Sequence, residues 1–206
     1  MNAKEDKEAR LTLELLNAVD RRSDMSQRYL AGNMGVALGL ANSYLKRCAR
    51  KGYVKIKQAP ANRYLYYLTP TGFAEKSRLT AKYLSASLDF YRQAAESCTQ
   101  VFIECRRQGF NDILLCGLSD LAEIALLRAA ESEINIVGFY DSLTEHKVLY
   151  RKPVWKELGD VGAFDIGMVT DLHSPLDKYQ ELTNILGQQR VVVPEILGLP
   201  TGLKGS

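Results

Sequence analysis

The sequence predicts an α+β front domain, a long connecting helix and an α/β rear domain built on a small parallel sheet. Three observations carry that expectation. Residues 26–72 read as helix, glycine-marked turn, second helix and then two short strands with basic residues, joined by a polar turn. From about Phe73 to Arg107, apolar residues recur at three- and four-residue steps, and no Pro or Gly interrupts until Gly109. From Asp112 onward, apolar strand-like runs alternate with helical ones, the pattern of parallel βαβ units. The first order is that of a winged helix and the last is Rossmann-like. The expected boundaries are 1–72 for the winged helix, 73–108 for the connecting helix and 109–206 for the rear domain.

Composition sets the frame. A chain of 206 residues with 46% hydrophobic and 25% charged residues is ordinary for two globular domains. The net charge of +3 conceals an asymmetry: residues 1–78 hold 15 Lys and Arg against 7 Asp and Glu, and residues 79–206 hold 12 against 17. A basic front and an acidic rear fit a chain of which only the front faces phosphates. The four cysteines (Cys48, Cys98, Cys105, Cys116) form no CxxC pair, and with only His146 and His173 beside them no metal site is expected. Buried thiols in a reducing compartment are the reading, with a redox switch or an inter-subunit disulfide as the alternative. The charged N-terminus carries no apolar signal segment and no run approaches 18 apolar residues, so the expectation is a cytoplasmic protein without membrane contact.

The first helix is expected over Lys7–Arg21, with Leu11, Leu13, Leu15, Leu16 and Val19 as its apolar stripe. Ser26 is a suitable N-cap for a second helix from Gln27 to about Asn33, and Gly35 suits a left-handed turn. The third helix should cover roughly Ala37–Lys51 and stop at Gly52. It is the candidate reading helix. Leu38, Ala41, Leu45 and Cys48 are expected to pack inward, leaving Gly39, Asn42, Ser43, Lys46 and Arg47 for DNA, with Ser26 and Gln27 at the start of the preceding helix. Asn pairs bidentately with adenine, and Lys and Arg reach guanine or phosphate. Gly39 lets the helix approach closely. Tyr53–Lys57 and Arg63–Leu68 alternate as strands around the turn Ala59-Pro60-Ala61-Asn62, placing Lys55, Lys57 and Arg63 on the wing as phosphate contacts.

The run SQRYLAGNMGVALGLANSYLKRCARKGYVKI, followed by RYLYYLTPTGFAEKSRLTAKYL, resembles the MarR-type winged-helix regulators associated with exopolysaccharide biosynthesis. The resemblance covers about residues 10–92. It rests on the small-residue start of the reading helix, the Lys51-Gly52 stop and the Leu68-Thr69-Pro70-Thr71-Gly72 exit from the wing. It implies sequence-specific binding of double-stranded DNA by a homodimer. The wing turn is short, which argues against deep minor-groove contact from its tip.

In the connecting helix, Leu79, Tyr83, Leu84, Leu88, Tyr91, Ala95, Cys98, Phe102 and Cys105 form the recurring apolar set. Unbroken, such a helix extends roughly 50 Å. Two readings stay open: a dimerisation helix, or an intramolecular one broken near Ser97 whose latter part belongs to the rear fold.

In the rear domain, DILLC (112–116), INIVGFYD (134–141), FDIGMVT (164–170) and RVVVP (190–194) are the expected strands, with helices after the first and near Leu176–Leu186. Ligands of such sheets lie beyond the strand C-terminal ends. Gly117, Leu118, Ser119 and Asp120 occupy the first such turn and open onto a helix N-terminus suited to phosphate. Asp141 stands where a ribose-binding acid would, and Thr170 ends the third strand. The turn departs from a dinucleotide fingerprint, holding Ser119 and Ala122 where glycines belong, and Asp120 adds a negative charge. Asp120 could equally serve as a helix cap. The pattern over about residues 110–195, through Val137-Gly138-Phe139-Tyr140-Asp141 and Arg151-Lys152-Pro153-Val154, resembles the small Rossmann-like domains of sugar-acyltransferases and sugar-nucleotide enzymes. That likeness implies a nucleotide or nucleotide-sugar ligand. A winged helix before a Rossmann domain is also the plan of Rex-type repressors, but the missing glycines argue against NADH sensing.

Catalysis has little support in the sequence. Glu145-His146 and Asp171 with His173 sit in strand-end loops where polar residues gather anyway, and no Walker-type loop appears. The expectation is a non-enzymatic, dimeric DNA-binding transcriptional regulator of polysaccharide or sugar-nucleotide genes, whose rear domain senses a metabolite. A rear domain that is only a scaffold for assembly or protein contacts, or a nucleotide-sugar enzyme, are the alternatives. The glycine-containing tail after Pro200 is expected to be flexible.

Overall fold

The computed structural model describes residues 3–60 and 63–199, so the tip of the wing turn and the C-terminal tail lie outside the described residues. The chain divides into two compact units, Met1–Leu88 and Asp89–Ser206.

The front unit orders its elements as α1 (Ala3–Arg21), α2 (Gln27–Asn33), α3 (Leu38–Arg50), β1 (Val54–Ala59), β2 (Arg63–Leu68) and the first half of α4 (Pro70–Arg107). Leu11, Leu15, Leu16 and Val19 of α1 pack with Leu30, Ala41, Leu45, Cys48, Val54, Tyr66 and Leu79 into one core. α1 begins four residues before the expected start, and α4 begins at Pro70 rather than Phe73. The second shift has a local cause. Proline is suited to a first helical turn, where its missing N–H leaves no hydrogen bond unmade. The Thr69 hydroxyl also accepts from Gly72 N at 3.0 Å and donates to Gly52 O at 2.5 Å. Gly72 itself has no alternative, because an added Cβ would lie 2.0 Å from Tyr53 O. The exit from the wing is thereby fastened to the end of α3. Two ion pairs, Lys76–Asp20 at 2.6 Å and Lys82–Asp6 at 2.9 Å, join α4 to α1.

The rear unit is an α/β domain of Rossmann-like form with a mostly parallel sheet. Its strands are β3 (Asp112–Cys116), β4 (Asn135–Tyr140), β5 (Val148–Leu149), β6 (Lys152–Trp155), β7 (Ile166–Val169) and β8 (Val191–Val192), with α5 (Asp120–Glu131) and α6 (Pro175–Leu186). Their spatial order is β5-β6-β4-β3-β7-β8, and only β5 against β6 is antiparallel. The second half of α4, through Ala94, Cys98, Val101, Phe102 and Cys105, packs with α5 on one sheet face. α6 covers the other through Leu182, against Leu114, Cys116, Tyr140 and Val169. Neither expectation for the long helix describes it alone. It runs unbroken past Ser97, yet its latter part belongs to the rear core. The β5–β6 hairpin was not expected: Tyr150 and Arg151 both take positive φ (49° and 62°) in its two-residue turn. Glycine or asparagine ordinarily announces that geometry, and neither is present.

All four cysteines are buried in these cores. Burial pushes the Cys48 thiol up to about 11 and those of Cys98 and Cys105 to about 12, so they stay protonated. Lys178 is buried but satisfied: it donates to Glu181 at 2.7 Å and lies 4.8 Å from the centre of the Tyr140 ring, while the Tyr140 hydroxyl also bonds Glu181. No described helix is long and apolar enough to cross a membrane.

Candidate nucleic-acid interface

The helix-turn-helix is set by local chemistry. Ser26 Oγ accepts the Tyr29 amide at 3.1 Å and caps α2, which ends at Asn33 with Met34 as C-cap. Gly35 takes φ +59° in the turn, and α3 starts after Ala37 without a side-chain cap. α3 stops as expected: Gly52 takes φ +73°, and Tyr53 N returns to Cys48 O at 2.9 Å.

The inward face of α3 is narrower than the sequence suggests. Ala41, Leu45 and Cys48 are buried, but Leu38 is 43% exposed, so its assignment to the core is corrected. At 100° per residue Leu38 lies within 20° of Leu45, on the same face, but it stands in the first turn, one turn before the buried residues begin at Ala41. Gly39, Ser43, Lys46 and Arg50 fall within about 60° of one another and are exposed. Two of the expected readers stand elsewhere. Asn42 is half-buried at the edge of the core, and its Oδ1 is buried without a hydrogen-bond partner. Arg47 pairs with Glu8 of α1 and lies 5.9 Å from the centre of the Tyr44 ring. Arg50, four residues after Lys46, takes the outer position that Arg47 was expected to fill. Its signal was the spacing 39, 43, 46, 50.

The wing presents a second basic surface. Lys55 pairs with Tyr67, Lys57 with Leu65 and Ala59 with Arg63 across the antiparallel hairpin. Because side chains alternate, Lys55, Lys57 and Arg63 share one face, and Val54 and Tyr66 are buried on the other. Lys57 Nζ stands 5.7 Å from the centre of the Tyr67 ring. Ser26 and Gln27 are exposed beside the base of the wing, lining with Asp24, Arg63, Tyr64 and Tyr66 an open groove of about 480 Å³. The electrostatics are one-sided. From Met25 to Ala74 the sequence holds eight Lys and Arg and not one Asp or Glu. The acid that lines the groove, Asp24, is paired with Arg22 at 2.6 Å, and α3 and the two strands themselves carry none, so the surface favours a polyanion.

In the rear unit the candidate ligand residues are gathered, but they are bonded to each other. Gly117 takes φ +106°, and an added Cβ would lie 2.6–2.7 Å from Asp171. Leu118 N, an amide of this turn, donates to Asp141 Oδ2 at 2.9 Å. The other Asp141 oxygen accepts Leu143 N at 2.9 Å. Ser119 Oγ caps α5 through Leu121 N and donates to Thr170 O at 2.5 Å, and Thr170 Oγ1 donates to Gly117 O at 2.7 Å. The cap of α5 is Ser119, not Asp120, which is exposed as the first residue of the helix. Of the polar loop pairs, Glu145 is bound to Lys156 at 2.9 Å, and Asp171 accepts His173 N and Ser174 N.

Residues 9–55 match the family described as winged helix-turn-helix DNA-binding. The front unit is a winged helix-turn-helix DNA-binding domain. No curated protein matches the chain. Among solved structures it is similar to FabT of Streptococcus pneumoniae in complex with DNA (19% identity, 38% of this chain and 55% of that one, TM-score 0.32). It is also similar to the PcaV transcriptional regulator of Streptomyces coelicolor (22%, 48% and 74%, TM-score 0.40) and to PigF with SAH (14%, 91% and 70%, TM-score 0.32). The matched region thus spans about half of the FabT chain.

Proposed function

We propose that this chain is a sequence-specific DNA-binding transcriptional regulator that acts as a homodimer. The observation that carries the reading is the basic surface formed by Lys46 and Arg50 of α3 with Lys55, Lys57 and Arg63 of the wing, elements that carry no acidic residue. α3 presents its outer face to the major groove, and the wing holds the backbone beside it. Phe73, Leu84 and Leu88 support the dimer. They lie within about 60° on one side of α4, each at least half exposed, a row that a second copy would cover. Replacing Lys46 and Arg50 by Ala should lower duplex affinity at least tenfold with the melting temperature unchanged. Unaltered affinity would remove α3 from the interface.

For the rear unit, the scaffold reading is favoured by the bond from Leu118 N to Asp141. One amide of the turn that a phosphate would approach is already filled by a carboxylate. The sensor reading is supported by topology: Gly117, Asp141 and Thr170 lie at the C-terminal ends of β3, β4 and β7, and the connections after β3 and β7 leave on opposite faces. Melting the full chain with nucleoside diphosphates, nucleotide-sugars and nicotinamide dinucleotides separates the two. A ligand at a hundred times its Kd adds about 2.7 kcal/mol. Its absence across the panel supports the scaffold. Control of polysaccharide or sugar-nucleotide genes is the proposal carried by the sequence resemblance of residues 10–92.

A further inference from the structure

We infer that the C-terminal edge of the rear sheet is a docking surface for a cationic, apolar segment of a partner protein. The inference rests on the scaffold reading of the rear unit and adds to it the surface and the chemistry of what it holds. Three leucines stand exposed at this edge: Leu143 at 91%, Leu172 at 36% and Leu176 at 49%. They follow β4 and β7, the two strands that flank β3. Hydrogen bonds tie their loops into one platform. Asp141 accepts Leu118 N after β3 and Leu143 N after β4, both at 2.9 Å. Thr170 Oγ1 donates to Gly117 O at 2.7 Å. Asp171 accepts His173 N at 2.7 Å and Ser174 N at 2.9 Å, just before Leu176. The backbone that carries the leucines is therefore fixed from within the chain. Single exposed leucines are ordinary, but three on adjoining loops of one edge make a patch of the kind a partner covers.

Charge selects the occupant. The segments that leave this edge (117–120, 141–147, 156–160 and 170–177) carry seven Asp and Glu against two Lys. One of the two, Lys156, is already paired with Glu145 at 2.9 Å. Asp120, Glu157, Asp160 and Asp177 stand exposed. A nucleic acid or a nucleotide phosphate meets like charge here, and so does the same edge of a second copy. An apolar segment flanked by Lys or Arg meets complementary charge around a centre that it covers, the apolar core and polar rim of a protein interface.

The test uses the full chain, with random peptides displayed on phage as the probe. The pool is first depleted on the chain carrying Leu143→Ser and Leu176→Ser, which removes binders of every other surface, and is then selected on the wild type. Enriched peptides should carry net positive charge, with aliphatic or aromatic residues among the cations. As labelled synthetic peptides they should bind the double variant at least tenfold more weakly than the wild type. The melting temperature of that variant should be unchanged, because both side chains are exposed. Binding to the wild type should weaken as salt rises. Enrichment of neutral or anionic sequences, or none over the variant, would overturn the inference and leave the scaffold reading standing. A nucleotide or nucleotide-sugar that raises the melting temperature and displaces the peptide would refute the scaffold reading itself, and the inference with it.

Discussion

The wing offers the most quantitative prediction. Lys55, Lys57 and Arg63 lie on one face of the hairpin, all exposed, and neither strand carries an acid. If each contacts one phosphate, binding releases one condensed counterion per contact, and the slope of log affinity against log salt is about −0.9 for each. Substituting all three by Gln should therefore make the slope shallower by about 2.7. Between 50 and 200 mM salt each contact accounts for roughly a 3.5-fold loss, so the wild type should lose about 40 times more affinity than the triple variant over that interval. Fluorescence anisotropy of a labelled duplex at four salt concentrations measures this directly. The fold should tolerate the change, because exposed substitutions of this kind stay within about 0.5 kcal/mol. The loss should also be uniform across duplex sequences, since phosphates carry no base identity. An unchanged slope would place the wing away from the backbone and refute the reasoning.

Arg47→Ala should leave duplex affinity within about twofold, because its guanidinium is held by Glu8, and should cost less than about 1 kcal/mol for a half-exposed pair; Arg50→Ala should weaken binding in the same titration. Gly117→Ala should destabilise the chain by roughly 2 kcal/mol or more in urea unfolding, since the added Cβ meets Asp171 and the φ is positive. Native protein should show no thiol reactive toward Ellman's reagent at pH 8, and four should appear on denaturation. The buried thiols also set an alkaline limit. Their folded values lie above the ordinary 9.0, so the unfolded chain loses protons first. Stability is full below about pH 9 and should fall as pH rises through 11 to 12, seen as a declining urea midpoint.

Where a single residue type fixes a backbone state, the sequence was legible. Ser26, Gly35 and Gly52 marked the limits of α2 and α3 because capping and positive φ act locally. The βαβ order of the rear unit was legible from alternating apolar runs, but not its pairing. Contact between β3 and β7, whose paired residues such as Ile113 and Ile166 are 53 apart, depends on tertiary packing. β6 was missed because Pro153 speaks against a strand in sequence, yet it stands opposite Val148 in a strand flanked by β5 and β4. In the reading helix, periodicity gave the angles between residues but not the rotation of the helix. Contact with α1 sets that rotation, drawing Arg47 to Glu8 and Asn42 toward the core, and Leu38 stays exposed because it stands in the first turn, before the core begins. In the rear turn, the residues expected at a ligand site were indeed brought together. Sequence could not show that Asp141 already occupies the Leu118 amide.

Sequence-specific recognition of duplex DNA by the front unit is the central claim, and one titration addresses it most directly. The full chain is measured at 150 mM salt against the duplex it enriches from a random pool, and against a shuffled duplex of the same composition. The account predicts a ratio of dissociation constants of about 10³ or more, as expected of specific binders. A ratio near one would mean that the basic surface holds phosphates without reading bases, and would contradict the assignment of α3.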